Sequence, residues 1–551
     1  MGTLIFWIIF WLLIIALIVS TYQRDKRIRQ ARIAQILYGF GSTDNTAGDS
    51  ERFDTVPYLY EYLKNASPDD FWIDDITVGD LALRDVYSRM NRCVTNAGED
   101  VLYCMIRQLP RSEDPGRSYF EKIRRFLDDP GLVEECIKIL DVYGKRKKTD
   151  DISLIRSLAN AHPSGIMPDM VPVLLLILSI IIASIYPMPG FILMIVSIVY
   201  GIGTYFVQKR KMDDHLCGLA LALRLIRCAN ALCRAGCGEL SGYDHLADLT
   251  RLDRLISYKD GTTSNPISLL FDYIKMITHV DVIVCKSKLS RISGCIDELT
   301  DMYISIGKID VAIATASYIT NRRYCEAVIS EDDSLNATAL YHPLVLKPVV
   351  NDISTSKSVL LTGSNASGKS TFLKAVGLNA IFARSFGFAF ADRFESRITK
   401  VYTSMALRDD LIGARSYYVV EAESIKRICD AASSSDTGIL VIIDEVLRGT
   451  NTVERIAAST RILKSLCDKG VLMFAATHDR ELCDLLADDM DQYYFTEEIH
   501  EHNVTFPYVI QKGRSETTNA IRLLGMLGFD ETIVSSADDL VKHYKQTGNW
   551  T

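Results

Sequence analysis

Two stretches without a charged side chain set the first limit on how this chain can fold. The first runs from Met1 to Gln23, and Leu4 to Val19 within it reads LIFWIIFWLLIIALIV. A bilayer core of about 30 Å takes about 20 helical residues, and this run supplies them. A cleavable leader calls for a basic start, a shorter apolar run and a small-residue cleavage site. None of these is present; Arg24, Lys26, Arg27, Arg29 and Arg32 follow the run directly. Basic residues flank the cytoplasmic side of membrane helices. The expectation is an anchor at 1–22 with its N-terminus outside and the rest of the chain in the cytoplasm. The second stretch, Val171 to Gln208, is divided by Pro187-Met188-Pro189-Gly190. It predicts two helices, Val171–Tyr186 and Phe191–Val207, each about 25 Å long and joined by a tight turn. Lys145, Arg146, Lys147 and Lys148 precede this hairpin and Lys209, Arg210 and Lys211 follow it, so both ends face the cytoplasm. The pattern is that of a multi-pass protein of the cell membrane with three helices. A hairpin buried in a soluble core is the alternative for 171–207.

The remainder is globular. With 551 residues there is room for about three domains, and 48% hydrophobic residues exclude wholesale disorder. Lys and Arg number 61 against 69 Asp and Glu, a net charge of −8. That balance weighs against a surface built to wrap nucleic acid, which needs clustered cations. Thirteen Cys without a CxxC pair do not form a disulfide framework and suit a reducing compartment. Residues 23–70 read as a linker, with Gly39, Gly41, Ser42, Asn45 and Gly48 as helix breakers. Residues 71–165 and 212–320 are helical in period, and with the hairpin they are expected to form one helical domain over 71–329. From 330 to 551, short apolar strands alternate with helical stretches, the texture of a parallel sheet buried on both faces.

The strongest chemical signal lies in that last part. Gly363-Ser364-Asn365-Ala366-Ser367-Gly368-Lys369-Ser370 fits GxxxxGK[ST] between the strand Val359–Leu361 and a helical stretch opening at Thr371. Backbone N–H groups of such a loop close around phosphate oxygens, and the helix N-terminus adds its dipole. Lys369 is the cation for the β- and γ-phosphates, and Ser370 is a ligand for Mg²⁺. Ile442-Ile443-Asp444-Glu445 ends a later apolar strand. Asp444 is placed to hold the same ion and Glu445 to polarise the attacking water. Thr477-His478 ends the next strand, where His478 either senses the γ-phosphate or is structural.

The run TGSNASGKSTFLKAVGLNAIFA resembles the phosphate loop of the MutS proteins, ABC-like ATPases of DNA mismatch repair. His342-Pro343-Leu344 resembles the family's His-Pro element. Asp409-Asp410-Leu411 with Arg415-Ser416 and Glu421 resembles its DDLxxGRSTFxxEM segment, with Ala414, Tyr417, Tyr418 and Ala422 substituted. Asp444 to Thr450 resembles DEIGRGT, and Ala476-Thr477-His478 resembles ATH. More weakly, Thr95-Asn96-Ala97-Gly98 with Leu102 to Pro110 and Ile309-Asp310-Val311-Ala312 resemble the start and end of the family's helical core. The resemblance implies an all-helical MutS-core-like domain carrying an inserted transmembrane hairpin, followed by an α/β P-loop ATPase domain. It also implies a homodimer with two composite ATP·Mg²⁺ sites, Ser416 reaching the nucleotide of the opposite subunit; a helix N-cap is the other role open to it. Departures accompany the match. A family wedge domain with Phe-x-Glu has no counterpart ahead of the ATPase motifs, since the Phe-x-Glu triplets, Phe495–Glu497 and Phe529–Glu531, follow them. The hairpin occupies the slot of the family's DNA clamp, as an anchor or as the moving end of a lever. The expected activity is hydrolysis of ATP to ADP and phosphate driving rearrangement of a membrane-anchored dimer. A membrane-tethered, DNA-binding repair protein and a nucleotide-gated scaffold are the alternatives.

Overall fold

The computed structural model describes residues 2–42, 53, 57–112, 114–146, 150–161, 165–237, 240–250, 266–364, 367–405, 417–433, 438–500, 503–514, 521, 524–525 and 528–550. They fall into two compact units. The first comprises Met1–Asn65, Met90–Cys104 and Ile123–Asn321, the second Ala66–Arg89, Met105–Lys122 and Arg322–Thr551. The helical texture of 71–329 predicts a single domain there, yet residues 66–89 and 105–122 group with the C-terminal unit.

The first unit is helical. Helix α1, Gly2–Tyr38, carries the first apolar run and continues through the basic segment until Gly39, so the start of the expected linker is helical. Two of its cations have structural partners. Arg29 and Arg32 hold the buried carboxylate of Asp141 at 3.0 and 2.7 Å; Asp141 lies on α2, Pro130–Tyr143. The second apolar run forms α3, Met167–Ile185, and the start of α4, Pro187–Arg234. Only Tyr186 separates them. Pro187, Met188 and Pro189 sit in the first turn of α4, where a missing N–H costs nothing. At Gly190 an added Cβ would lie 2.2 Å from the backbone of Ala183, so the arms approach closely there. The first arm has 19 residues, about 28 Å of helix, longer than the expected length of about 25 Å and close to the thickness of a bilayer core. The second does not stop at Val207 but runs unbroken for 48 residues. Met167–Ile185, Pro187–Asp213 and His215–Arg234 are each long and apolar enough to cross a membrane. The last is mostly buried inside the unit, where Leu219, Leu223, Ile226 and Leu232 are core residues.

Two buried polar knots fix this unit. Asp310, on α7 (Ile296–Ile319), accepts the N–H of Val94 at 2.9 Å and the N–H and hydroxyl of Thr95 at 2.8 and 2.6 Å. The two weakly matching segments of the sequence therefore meet. At the base of the hairpin, Asp169 pairs with Lys286 at 2.5 Å, both fully buried. His279, in a left-handed corner between α5 (Pro266–Thr278) and α6 (Val280–Ser293), donates from Nε2 to the Gly201 carbonyl at 2.9 Å. Its Nδ1 faces Asp169 at 3.6 Å.

The second unit is built on a six-stranded sheet: β1 Val359–Thr362, β2 Lys400–Ser404, β3 Ile439–Asp444, β4 Leu472–Ala476, β5 Asp491–Phe495 and β6 Ile510–Lys512, in the order β6-β5-β1-β4-β3-β2. Neighbours are parallel except β5 and β6. β1 and β4 are buried at every residue, and β3 at all but Asp444. A second, mixed sheet of five strands includes Leu335–Leu340 and Asn351–Thr355. In the first sheet Asp444 pairs with Ala476, and Ala476 with Leu361. The carboxyl ends of β1, β3 and β4 thus finish side by side, where open α/β sheets bind ligands.

Candidate active site

Each of those three strand ends delivers part of one site. β1 runs into the glycine loop, whose Gly363 and Gly368 take φ of 145° and 108°, a region that only glycine enters without strain. The loop leads into helix α8, Lys369–Phe386. Lys369 Nζ donates to the carbonyls of Gly363 and Ser364, each at 2.8 Å, which draws the ammonium into the loop. Burial lowers the Lys369 pKa, against the pull of Asp444 and Glu445. Ser370 Oγ donates to Asp444 Oδ2 at 2.5 Å across the gap between β1 and β3.

Glu445 follows Asp444 with φ of 63°, a strained conformation for a residue with a side chain. Its N–H is held by the Ala476 carbonyl at 3.0 Å. The strain turns the carboxylate toward two cations or donors: His478 Nε2 lies 3.0 Å from Oε1, and Arg448 Nε 2.5 Å from Oε2. Burial pushes the Glu445 carboxyl up, but His478, Arg448 and Lys369 outweigh it and hold it below the usual range. These groups line a cleft of about 1020 Å³ that extends past His342, Val349 and Tyr508. It is large enough for a nucleotide.

The donor set fits a magnesium ion. Ser370 and Asp444 present a hydroxyl and a carboxylate oxygen side by side, and Glu445 adds a second carboxylate nearby. Among the described residues no group of three or more His, Cys, Asp and Glu could hold a metal by itself. Mg²⁺ keeps water and substrate phosphates among its ligands and needs few from the protein.

The cleft thus gathers Ser364, Gly368, Lys369, Ser370, Thr371, Asp444, Glu445 and His478, with Gly363 and Ser367 in the loop beside it. Asn365, Ala366 and Ser416 lie outside the described residues. Sequence reasoning gave no role to Glu497, and to Arg448 and Glu421 none beyond their places in motifs. Glu421 is buried on α9, Tyr417–Ala431, and accepts the Arg448 N–H at 3.1 Å. Burial raises its pKa, and the N–H groups of residues 447–449 oppose that rise. It clamps the loop that carries Glu445 and Arg448. Its spacing from the Asp-Glu pair carries no signal, because the contact joins segments far apart in the chain.

Residues 359–545 match the family model MutS domain V. The chain is 28% identical over 267 residues to the DNA mismatch repair protein MutS of Natronomonas pharaonis, covering 46% of this chain and 31% of that protein. The MutS of Fusobacterium nucleatum is 29% identical over 277 residues, 48% of this chain and 31% of the relative. That of Thermotoga maritima is 29% identical over 268 residues, 47% and 33%. The chain spans about a third of the length of these curated relatives.

Proposed function

The chain is a member of the MutS family, and from that premise we propose that it is a membrane-anchored ATPase whose cycle rearranges a homodimer. It binds ATP with Mg²⁺ and hydrolyses it, with water, to ADP and phosphate. The observation that carries this reading is the meeting of Lys369, the Ser370–Asp444 pair and the Glu445–His478 pair at the carboxyl ends of β1, β3 and β4. The glycine loop and Lys369 bind the phosphate tail. Ser370 and Asp444 would hold Mg²⁺, which supplies neutralisation of charge developing on the phosphates. Glu445, kept ionised by its neighbours, accepts a hydrogen bond from the attacking water and orients it. His478 fixes the carboxylate and is placed to register the terminal phosphate. Ser416 completes the site of the opposite subunit.

The membrane reading rests on energetics. Among the described residues, nineteen large hydrophobic side chains between Met167 and Val207 stand exposed. At roughly 1 kcal/mol for half of each side chain, facing water would forgo about 20 kcal/mol, more than the typical 5–15 kcal/mol stability of a domain. Lipid removes that cost, and a helical hairpin satisfies its own backbone. Duplex DNA is the alternative partner, on the strength of the relatives' names, with the net charge of −8 against it.

Phosphate release from the full chain in lipid tests the reading. Lys369→Ala abolishes tight nucleotide binding, and Glu445→Gln retains binding while slowing turnover by roughly 10²-fold. Wild-type turnover in Glu445→Gln refutes the assignment. Mixing Lys369→Ala with Ser416→Ala subunits restores activity if Ser416 acts across the dimer; mixed dimers without activity refute that role. Salt-sensitive binding of a mismatched duplex in preference to a matched one would favour the DNA alternative.

A further inference from the structure

We propose that Glu497 is a brake on nucleotide affinity: a carboxylate held against the glycine loop that weakens binding in proportion to the negative charge of the phosphate tail. The proposal rests on the reading of this loop as a nucleotide site. Ser364, the second residue of the loop motif, donates its hydroxyl to Glu497 Oε2 at 2.7 Å. The carbonyl of the same Ser364 accepts Lys369 Nζ and the Ser367 hydroxyl, each at 2.8 Å. A single residue therefore joins the phosphate-binding cation to an anion. The placement is built into the sheet. β5 lies beside β1 in register from Asp491↔Val359 to Tyr494↔Thr362. The end of β5 accordingly delivers Glu497 to the loop that follows β1. Glu497 is only partly exposed, and its charge reaches the Lys369 ammonium.

Among the described residues, Asp444, Glu445 and Glu497 are the carboxylates that act on Lys369, and two have work in the proposed chemistry. Asp444 meets Ser370, and Glu445 meets His478 and Arg448. Glu497 accepts from the loop, so toward the tail its carboxylate contributes charge of the wrong sign. Like charges at short range in a partly buried site repel. The repulsion is greatest for a triphosphate, smaller for a diphosphate and absent for a nucleoside. A site so built releases and exchanges nucleotide faster than the same loop without Glu497.

Glu497→Gln separates charge from shape, because the amide oxygen still accepts the Ser364 hydroxyl. ATP, ADP and adenosine are titrated calorimetrically into the full chain in lipid nanodiscs with Mg²⁺ at low salt. Glu497→Gln is expected to tighten ATP about tenfold, equivalent to about 1.4 kcal/mol, ADP less, and adenosine not at all. The gain shrinks at high salt, as a screened charge effect does, and Glu497→Asp behaves as wild type. An ATP affinity in Glu497→Gln equal to or weaker than wild type, with the protein folded, overturns the brake while leaving the nucleotide site standing. An equal gain for adenosine overturns it too, since that marks a change of shape. Absence of ATP binding by the wild type overturns the brake together with the nucleotide reading.

Discussion

Burial of His342 makes the second unit sensitive to mild acid. The residue is 9% exposed. Its Nδ1 accepts the Leu344 N–H at 3.2 Å, so a proton there would break that bond. Burial first, then Lys374 and Arg89, lower its pKa to about 4. An unfolded histidine titrates near pH 6.5, so between about pH 6.5 and 4 the unfolded chain binds a proton that the folded chain refuses. The stabilising share of His342 is complete above pH 6.5 and is lost as pH falls toward 4. Between pH 7 and pH 4.5 that loss is about 2.5 kcal/mol. His342→Asn keeps an acceptor for the Leu344 N–H and cannot titrate. Thermal unfolding of the full chain in detergent, at several pH values, compares the two proteins. At about 2–4 °C per kcal/mol for a unit of this size, the wild-type transition should fall on the order of 5–10 °C further than that of His342→Asn. Parallel pH curves would refute the reasoning, since the other eight histidines are common to both proteins.

Lys286→Met leaves the Asp169 carboxylate buried beside a histidine 3.6 Å away and should cost about 3–5 kcal/mol in thermal unfolding. Replacing Asp169 by Leu as well should restore much of this, and a double variant less stable than the single one would count against the account. A nitroxide at Val196, exposed on α4, should collide with dissolved oxygen and be shielded from a water-soluble nickel chelate in membranes. A label at Ser197, which is buried, should meet neither; nickel access at Val196 would remove the lipid-facing assignment.

The parts of the site that could be read from sequence are those where local backbone and chemistry coincide. A glycine loop between a strand and a helix is a local object, so Gly363 to Ser370 announces itself, and so do Asp444-Glu445 and His478 at strand ends. What stayed hidden depends on register between distant strands. Nothing in the neighbourhood of Glu497 reveals that β5 lies beside β1. The left-handed turn at Glu445 is equally silent, because Glu445 and Leu447 stand at the two left-handed positions where glycines would betray it; Leu447 takes φ of 57°. The surrounding contacts impose that conformation, the Ala476 carbonyl on one side and the Glu421 clamp on the other.

The same distinction explains the long helix. Lys209, Arg210, Lys211 and Asp213 divide two apolar segments, and in sequence they read as an end to the hairpin. Backbone hydrogen bonding is indifferent to those charges, since Lys and Arg are good helix formers and Asp costs only a fraction of a kcal/mol. No proline follows Pro189 until α4 has ended. One helix of about 72 Å therefore carries Ile192, Val196 and Val199 on an exposed surface and Leu219, Leu223 and Ile226 in a core. Hydropathy cannot tell the two halves apart, because an exposed leucine and a buried one are equally apolar as sequence. The structure separates them by how much of each is covered: 22% of the segment within Pro187–Asp213 is buried, against 72% within His215–Arg234. The consequence is mechanical: with no break between its halves, a displacement of the buried part cannot be absorbed at a hinge before it reaches the hairpin.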